Sequence, residues 1–425
     1  MGFNDSSNYS FLIDRARSRY ILWGHNPFAV FCYRNNRCEI YSDGKWINYR
    51  ADPWDEIRRL LRELRKITKE KDGGVAGYIG YNAAKTIEPS LRQNEFKSDV
   101  PDIALMFFRN FKTTEKSRIK IFNKTSVLSY KSNKIGDVCH RPGITNVFKM
   151  PLREYSAKIA KIKEYICEGE VYQVNLSHRV EYRFKGDPWR FYVNLREVAS
   201  PQFGVFLNLG DINVISVSPE RFLRKRGRML ETFPIKGTMP RSENKKEDRR
   251  LKGLLRTSIK DNAEHLMIVD LLRNDLGRVC EYGSVKVDDL FAVRSFKTVH
   301  HMVSRISGRV KNGLDVIDIL KSCFPGGSVT GTPKIKAMQI IDEVEGYNRG
   351  IYTGSIGYIS ADGSMDMNIA IRTMIIRGNR AYYPVGGAIV YDSDPVQEYM
   401  ETETKLKVLE ETIRRLKNED ELLLP

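Results

Sequence analysis

Histidine and cysteine are both scarce in this chain, six of each among 425 residues. The cysteines (Cys32, Cys38, Cys139, Cys167, Cys280 and Cys323) form no Cys-x-x-Cys pair, and the histidines have no metal-ligand spacing. A zinc ribbon, a dithiol redox centre and a disulfide-stapled scaffold are thereby excluded. The thiols are expected to pack as small apolar groups in a reduced, cytoplasmic setting. Long apolar runs are missing too: none approaches the ~20 residues of a membrane span, and the opening residues show no signal-peptide pattern. Gly-x-x-x-x-Gly-Lys-Ser/Thr is absent, so there is no P-loop to cradle a nucleotide.

What the chain has in excess is positive charge: 70 lysines and arginines against 53 acidic residues, a formal net charge of +17. The basic residues are mixed with acidic ones, as in RSENKKEDRRLK (241–252), and no zinc finger, aromatic RNA-binding motif or basic arm appears. We read the charge as a solvated surface biased toward anionic small molecules. A basic nucleic-acid-binding protein is the alternative from another class, and it predicts tight, salt-sensitive oligonucleotide binding.

The length allows two or three domains, or one elaborate one. Residues 1–145 alternate strand-like runs (YILWGH, FAVFCY, CEIYS) with a helix near 53–70. A polar stretch over 131–148 reads as a linker, which sets boundaries at 1–145 and 146–425. Within 204–236, FGVFLNL, INVISVS, RFLRKR and MLETFPIK read as strands, with Gly227-Arg228 as a two-residue hairpin turn. That turn sets Phe222 opposite Phe233, Arg224 opposite Glu231, Glu220 opposite Ile235 and Pro219 opposite Lys236. A carboxylic acid and an amine therefore meet at one end of a ribbon, although a single lysine is most often just a solvated surface group.

The stretch 260–279 reads as a helix ending at Gly277, with Asp261 and Glu264 on one face. A second helix, 398–417, repeats the spacing with Glu398 and Glu401, places Lys405 one turn on, and buries Leu406, Leu409, Ile413 and Leu416. Two such pairs could hold one hard cation, or could be ordinary exposed acids. Between the helices, FPGGSVTGTPKIKAM (324–338) is a glycine-rich turn entering a helix at Pro333, with amides suited to an anion. DMNIAIRTMII (366–376) reads as one apolar strand whose Arg372 needs an anionic partner, internal or supplied by a substrate.

An ordered series of motifs resembles the chorismate-utilising enzyme family: VYQVNLS (171–177), SPERF (218–222), PIKGT (234–238), AEHLMIVDLLRNDLGRV (263–279), VHHMVS (299–304), FPGGSVTGTPK (324–334), YTGSIGY (352–358), IAIRT (369–373) and GGAIVYDSDPVQEYMETETK (386–405). The resemblance runs from about residue 150 to 405. It implies an α+β fold of two large packed antiparallel sheets flanked by helices, with the site in the cleft. PIKGT is the form carried by the aminodeoxychorismate synthase branch, where anthranilate synthases have alanine at the lysine position.

In that branch the resemblance implies that Lys236 is a nucleophile toward C2 of chorismate, that Glu220 protonates the departing C4 hydroxyl, and that ammonia then displaces the lysine. It further implies that His301 lies beside the ring, that Thr238 and Ser328 line the pocket, and that Arg372, Tyr352, Gly386 and Gly387 hold the enolpyruvyl carboxylate. Mg²⁺ is implied as cofactor, with Glu264 and Glu401 as direct ligands and Asp261 and Glu398 acting through water. Gln173 stands where water-adding relatives have a lysine base, which favours ammonia. With no Gly-x-Cys-x-Gly elbow, the chain is expected to take ammonia from a separate glutamine amidotransferase subunit and to hand its product to a separate aminodeoxychorismate lyase, for 4-aminobenzoate and folate synthesis. Anthranilate synthase component I is the alternative within the family. Three positions depart from the family pattern: Phe233, Thr332, and Asp14 in FLIDRA (11–16), where relatives have a tryptophan site.

Overall fold

A computed structural model describes residues 9–16, 18–68, 72–91, 98, 100–117, 142–296 and 299–421. The fold is α+β. Its strands form two antiparallel sheets, one 10-stranded and one 12-stranded. Residues on both sides of position 145 contribute to each sheet: Tyr9–Arg15 pairs with Phe203–Leu209 in the first, and Gly74–Ile79 pairs with Ser355–Ser360 in the second. Most of the polar stretch read as a linker over 131–148 lies outside the described residues. Its end, Gly143–Phe148, is a strand on the edge of Gln173–Lys185.

The two-residue alternation of a strand decides which core each side chain enters. Phe11 and Ile13 face the space between the sheets, together with Val30, Tyr78, Leu207 and Ile356. Leu12, between them, packs the opposite way, with Leu195, Leu406 and Leu409 from the covering helices. Helix Pro53–Ile67 starts where Asp52 accepts hydrogen bonds from the Trp54 and Asp55 amides, with proline in the first turn. Among the described residues no helix is long and apolar enough to cross a membrane.

Three expectations need correction. Arg224 does pair with Glu231 across the Gly227-Arg228 turn, and Gly227 has the positive φ (+54°) that such a turn requires. Beyond that pair a bulge shifts the register by one, so Arg221, not Phe222, faces Phe233. Phe222 turns inward against Phe324, and Phe233 is covered by the guanidiniums of Arg221 and Arg224. Second, helix Ile259–Val279 runs through Gly277, because Leu276, Val279 and Cys280 are buried and packing outweighs the local stop signal.

Third, DMNIAIRTMII is not one strand. Met365–Ile369 belongs to the second sheet and Thr373–Arg377 to the first, and the chain changes sheets at 370–372, where Arg372 takes φ +51°. The chain makes the same passage in the opposite direction between Ile212–Ser218 and Arg221–Arg226. The two passages lie side by side. The Ile369 amide donates to the Glu220 carbonyl (3.1 Å), the Ser218 hydroxyl to the Ile369 carbonyl (2.7 Å), and the Val217 amide to the Arg372 carbonyl (3.0 Å).

Candidate active site

Glu220 sits in the first of these passages, buried with only 6% of its surface exposed. The Ser328 hydroxyl donates to its Oε1 at 2.7 Å, from the short turn Gly327–Val329. Burial pushes its carboxyl up to about 7, with the Ser328 hydroxyl, the Lys236 ammonium and the Ile235 amide pulling the other way without cancelling it. A carboxyl in this state can hold or release a proton near neutral pH.

Lys236 is half-buried on strand Ile235–Pro240, opposite Met302 of the central strand Val299–Arg309. A bulge follows at Gly237, whose φ is +67°. A side chain there would also bring a Cβ within 2.7 Å of Leu255 and 3.1 Å of the Asp261 carboxylate, so the position is closed to anything larger. The Lys236 charge acts on Glu220, on Glu264 and on Glu401, which places these three carboxylates around one amine.

Past the bulge, Thr238 Oγ1 lies 3.0 Å from His301 Nδ1. Burial lowers the His301 imidazole to about 4; its contact with the Gly237 backbone opposes this, while Arg372 and His300 reinforce it. His301 is therefore uncharged at neutral pH. His300 points away: it is fully buried, between Ser295 and Asp248.

The carboxylate side is built from helices Ile259–Val279 and Pro395–Glu421. Burial pushes Glu264 and Glu398 up, and Glu401 adds to the shift of both. Burial would raise Glu401 as well, but the Lys405 ammonium outweighs it, at 2.5 Å from Oε1. Among the described residues no three acidic, histidine or cysteine side chains already converge as a closed metal cage. The donor set still suits a hard cation that keeps most of its water. It offers only oxygens, comes from two helices, and contains carboxylates that repel one another, Glu398 among them buried, a repulsion a divalent cation would relieve. Asp261 touches this group only through Glu264 on its own helix and otherwise lies against Gly237.

The third wall comes from strand Arg380–Ile389 and the second passage. A Cβ on Gly387 would sit 3.3 Å from the Glu398 carboxylate and 3.7 Å from both Glu401 and Lys405, so the strand approaches the acidic group with bare backbone. Arg372 donates to the Lys405 carbonyl at 3.2 Å, and among the described residues it has no carboxylate partner. Of the two anionic partners expected for an interior arginine, the internal one is not seen among the described residues: the neutral carbonyl accepts one hydrogen bond, and the guanidinium's charge bears on Tyr352, His301 and Lys405. Tyr352 is fully buried, with Arg349 over its ring.

Hydrogen bonds and electrostatic contacts thus link the sequence-derived candidates into one neighbourhood. Sequence reasoning gave no role to Lys405, which ties Glu401 to the Gly386 carbonyl (2.6 Å); its one local signal is the i, i+4 spacing from Glu401. Gln173 is buried, and among the described residues neither atom of its amide has a partner. Asp14 is buried as well and is paired with Lys116 (2.6 Å) and Arg196 (2.5 Å), so this position is filled by internal charges.

Comparison with known proteins agrees with this geometry. The family model described as chorismate binding enzyme matches residues 8–411. Aminodeoxychorismate synthase component 1 of Escherichia coli (strain K12) is 44% identical over 414 residues, covering 92% of this chain and 89% of that protein. Anthranilate synthase component 1 of Methanothermobacter marburgensis is 35% identical over 406 residues, covering 93% and 87%. The crystal structure of anthranilate synthase component I from Streptococcus pneumoniae TIGR4 superposes with a TM-score of 0.76 at 30% identity, covering 92% of each chain.

Proposed function

The chain belongs to the chorismate-binding enzyme family, and from that premise we propose that it is the synthase component of an aminodeoxychorismate synthase, converting chorismate and ammonia to 4-amino-4-deoxychorismate and water. The lone pair of the Lys236 amine attacks C2 of chorismate. The ring double bonds shift, and the C4 hydroxyl leaves as water with the proton held by Glu220. Ammonia then attacks C4, the double bonds shift back, and the bond to Lys236 breaks, returning the amine. The enolpyruvyl group stays in place throughout.

Arg372, Tyr352 and the Gly386–Gly387 backbone orient the enolpyruvyl carboxylate, and uncharged His301, positioned by Thr238, lies beside the ring without repelling the incoming amine. A magnesium ion on Glu264 and Glu401, with Asp261 and Glu398 acting through water, would neutralise the ring carboxylate. The observation that carries this reading is that the Lys236 charge reaches Glu220, a buried acid held by the Ser328 hydroxyl at 2.7 Å and pushed up to about 7. A glutamine amidotransferase subunit is the ammonia source in this reading, a separate lyase consumes the product, and the setting is cytoplasmic.

The test is product identification with chorismate, Mg²⁺ and ammonium. The expected product is 4-amino-4-deoxychorismate without pyruvate. Pyruvate released with fluorescent anthranilate would overturn the assignment in favour of the 2-amino reaction.

A further inference from the structure

Behind the amine, the central strand Val299–Arg309 carries a node that the mechanism above does not use. Strand Lys286–Ser295 pairs with it but breaks register between Asp288, opposite Arg305, and Ala292, opposite Val303. Three residues, 289–291, therefore bulge over the single residue Ser304. Two of the three, Asp289 (φ +55°) and Phe291 (φ +58°), hold left-handed backbone, which is costly for an aromatic residue. What holds the bulge is on view. The Phe291 amide donates to Ser304 Oγ at 3.1 Å, and the same oxygen lies 2.7 Å from His265 Nε2. The Phe291 ring meets the imidazole edge-on at 5.7 Å between centroids.

His265 and Ser304 are both completely buried, and His265 Nδ1 has no partner. Ser304 also reaches the amine's own strand, since its amide donates to the Pro234 carbonyl at 3.3 Å, two residues before Lys236. His265 directly follows Glu264 on helix Ile259–Val279. One serine thus joins the strand of the amine to the helix of the carboxylates, and a strained loop closes over the joint.

We propose that Ser304 and His265, clamped by the Asp289–Phe291 bulge, form a positioning device that fixes the distance between Lys236 and the Asp261–Glu264 turn. The inference rests on the reading that Lys236 and these carboxylates work on one substrate. It assigns His265 no proton transfer: the imidazole acts through its Nε2 contact and its shape. A displacement of about 1 Å at a reacting centre can cost on the order of a hundredfold in rate, so a rigid joint is worth a locally strained backbone.

The experiment compares His265→Gln, whose amide can reach the Nε2 position and keep Ser304, with His265→Asn, which is too short to do so. The expected result is kcat within about threefold of wild type for Gln and about tenfold or more below it for Asn, with the chorismate KM of both near wild type. Mn²⁺ titration of the substrate-free proteins should show weaker binding for Asn than for Gln, because the Glu264 turn has lost its anchor. Circular dichroism and thermal melting set the folded fraction against which both rates are expressed. Phe291→Asn, a residue that tolerates left-handed backbone, keeps the amide contact with Ser304 and removes only the ring. It should lower kcat severalfold, with melting little changed. Equal kcat in the Gln and Asn variants, or losses fully explained by the folded fraction, overturns the proposal. If wild type turned over no chorismate, the proposed function would fail instead, and the Mn²⁺ ratio between the two variants would decide this inference alone.

Discussion

The two sides of the cleft are held by different forces. The amine side is a product of strand register: Lys236, Thr238, His301 and Glu220 are placed by backbone pairing, a bulge and a passage between sheets. The carboxylate side is a product of helix packing, and its acids are brought together against their own repulsion, eased by the Lys405, Lys236 and Lys260 charges and by the Ser393 hydroxyl, which donates to Glu398 at 2.7 Å. The first side is held by paired backbone. The second is under electrostatic load until a cation or substrate arrives, and the difference marks where each side is vulnerable to substitution.

The largest effect is expected on the register side. Lys236→Ala should lower 4-amino-4-deoxychorismate formation by roughly a thousandfold or more while chorismate and Mg²⁺ affinities stay within a few-fold, because no helix contact is lost. Wild-type rates in that variant, followed by product chromatography, would remove the amine from the chemistry.

Glu220→Gln comes next, with kcat reduced about a hundredfold or more. Its stability should move the other way. The carboxyl is raised from 4.5 to about 7 in the fold, so the folded state holds the proton more tightly. The stability from this group is fully present below pH 4.5 and is lost as pH rises to about 7, a decline of order 3 kcal/mol. Denaturant melts should show that decline in wild type and not in the glutamine variant. As the acid must be protonated, wild-type kcat/KM at fixed free ammonia should fall as pH rises past about 7.

The smallest effect distinguishes the loaded side. Glu264→Gln should weaken Mg²⁺ binding by tens of fold, yet raise the melting temperature of the metal-free protein by a degree or two, since it removes one of the mutually repelling charges. A metal-free melting temperature below wild type would mean that the acidic group is not under load.

The register side was also the more legible in the sequence. A two-residue turn at Gly227-Arg228 was enough to place Arg224 on Glu231, but the expected pairings of Glu220 with Ile235 and Pro219 with Lys236 fail. The slip ends that ladder at Arg221, and Ile235 and Lys236 pair with Val303 and Met302 instead, while the Lys236 charge still reaches Glu220. The slip at Phe222 escaped notice because a bulge adds a residue without changing the apolar pattern. Arg372 looked like a mid-strand residue because DMNIAIRTMII is apolar throughout. Strands buried on both faces give no alternation to mark where one sheet ends and another begins. Ser304 and His265 could not be read at all. Each is unremarkable in its own segment, and they lie 39 positions apart in the chain, so they meet only after the stretch between them has folded.

The adjacent passages at 218–221 and 369–373 have a mechanical consequence. The buried acid and the guanidinium that the proposed function assigns to the substrate's carboxylate ride on two chain segments that step between sheets, and those segments are laced to each other. Sliding one sheet over the other would carry both groups off target together. On the proposed function, any movement that admits substrate is then left to the helices, with the paired sheets acting as a fixed anvil.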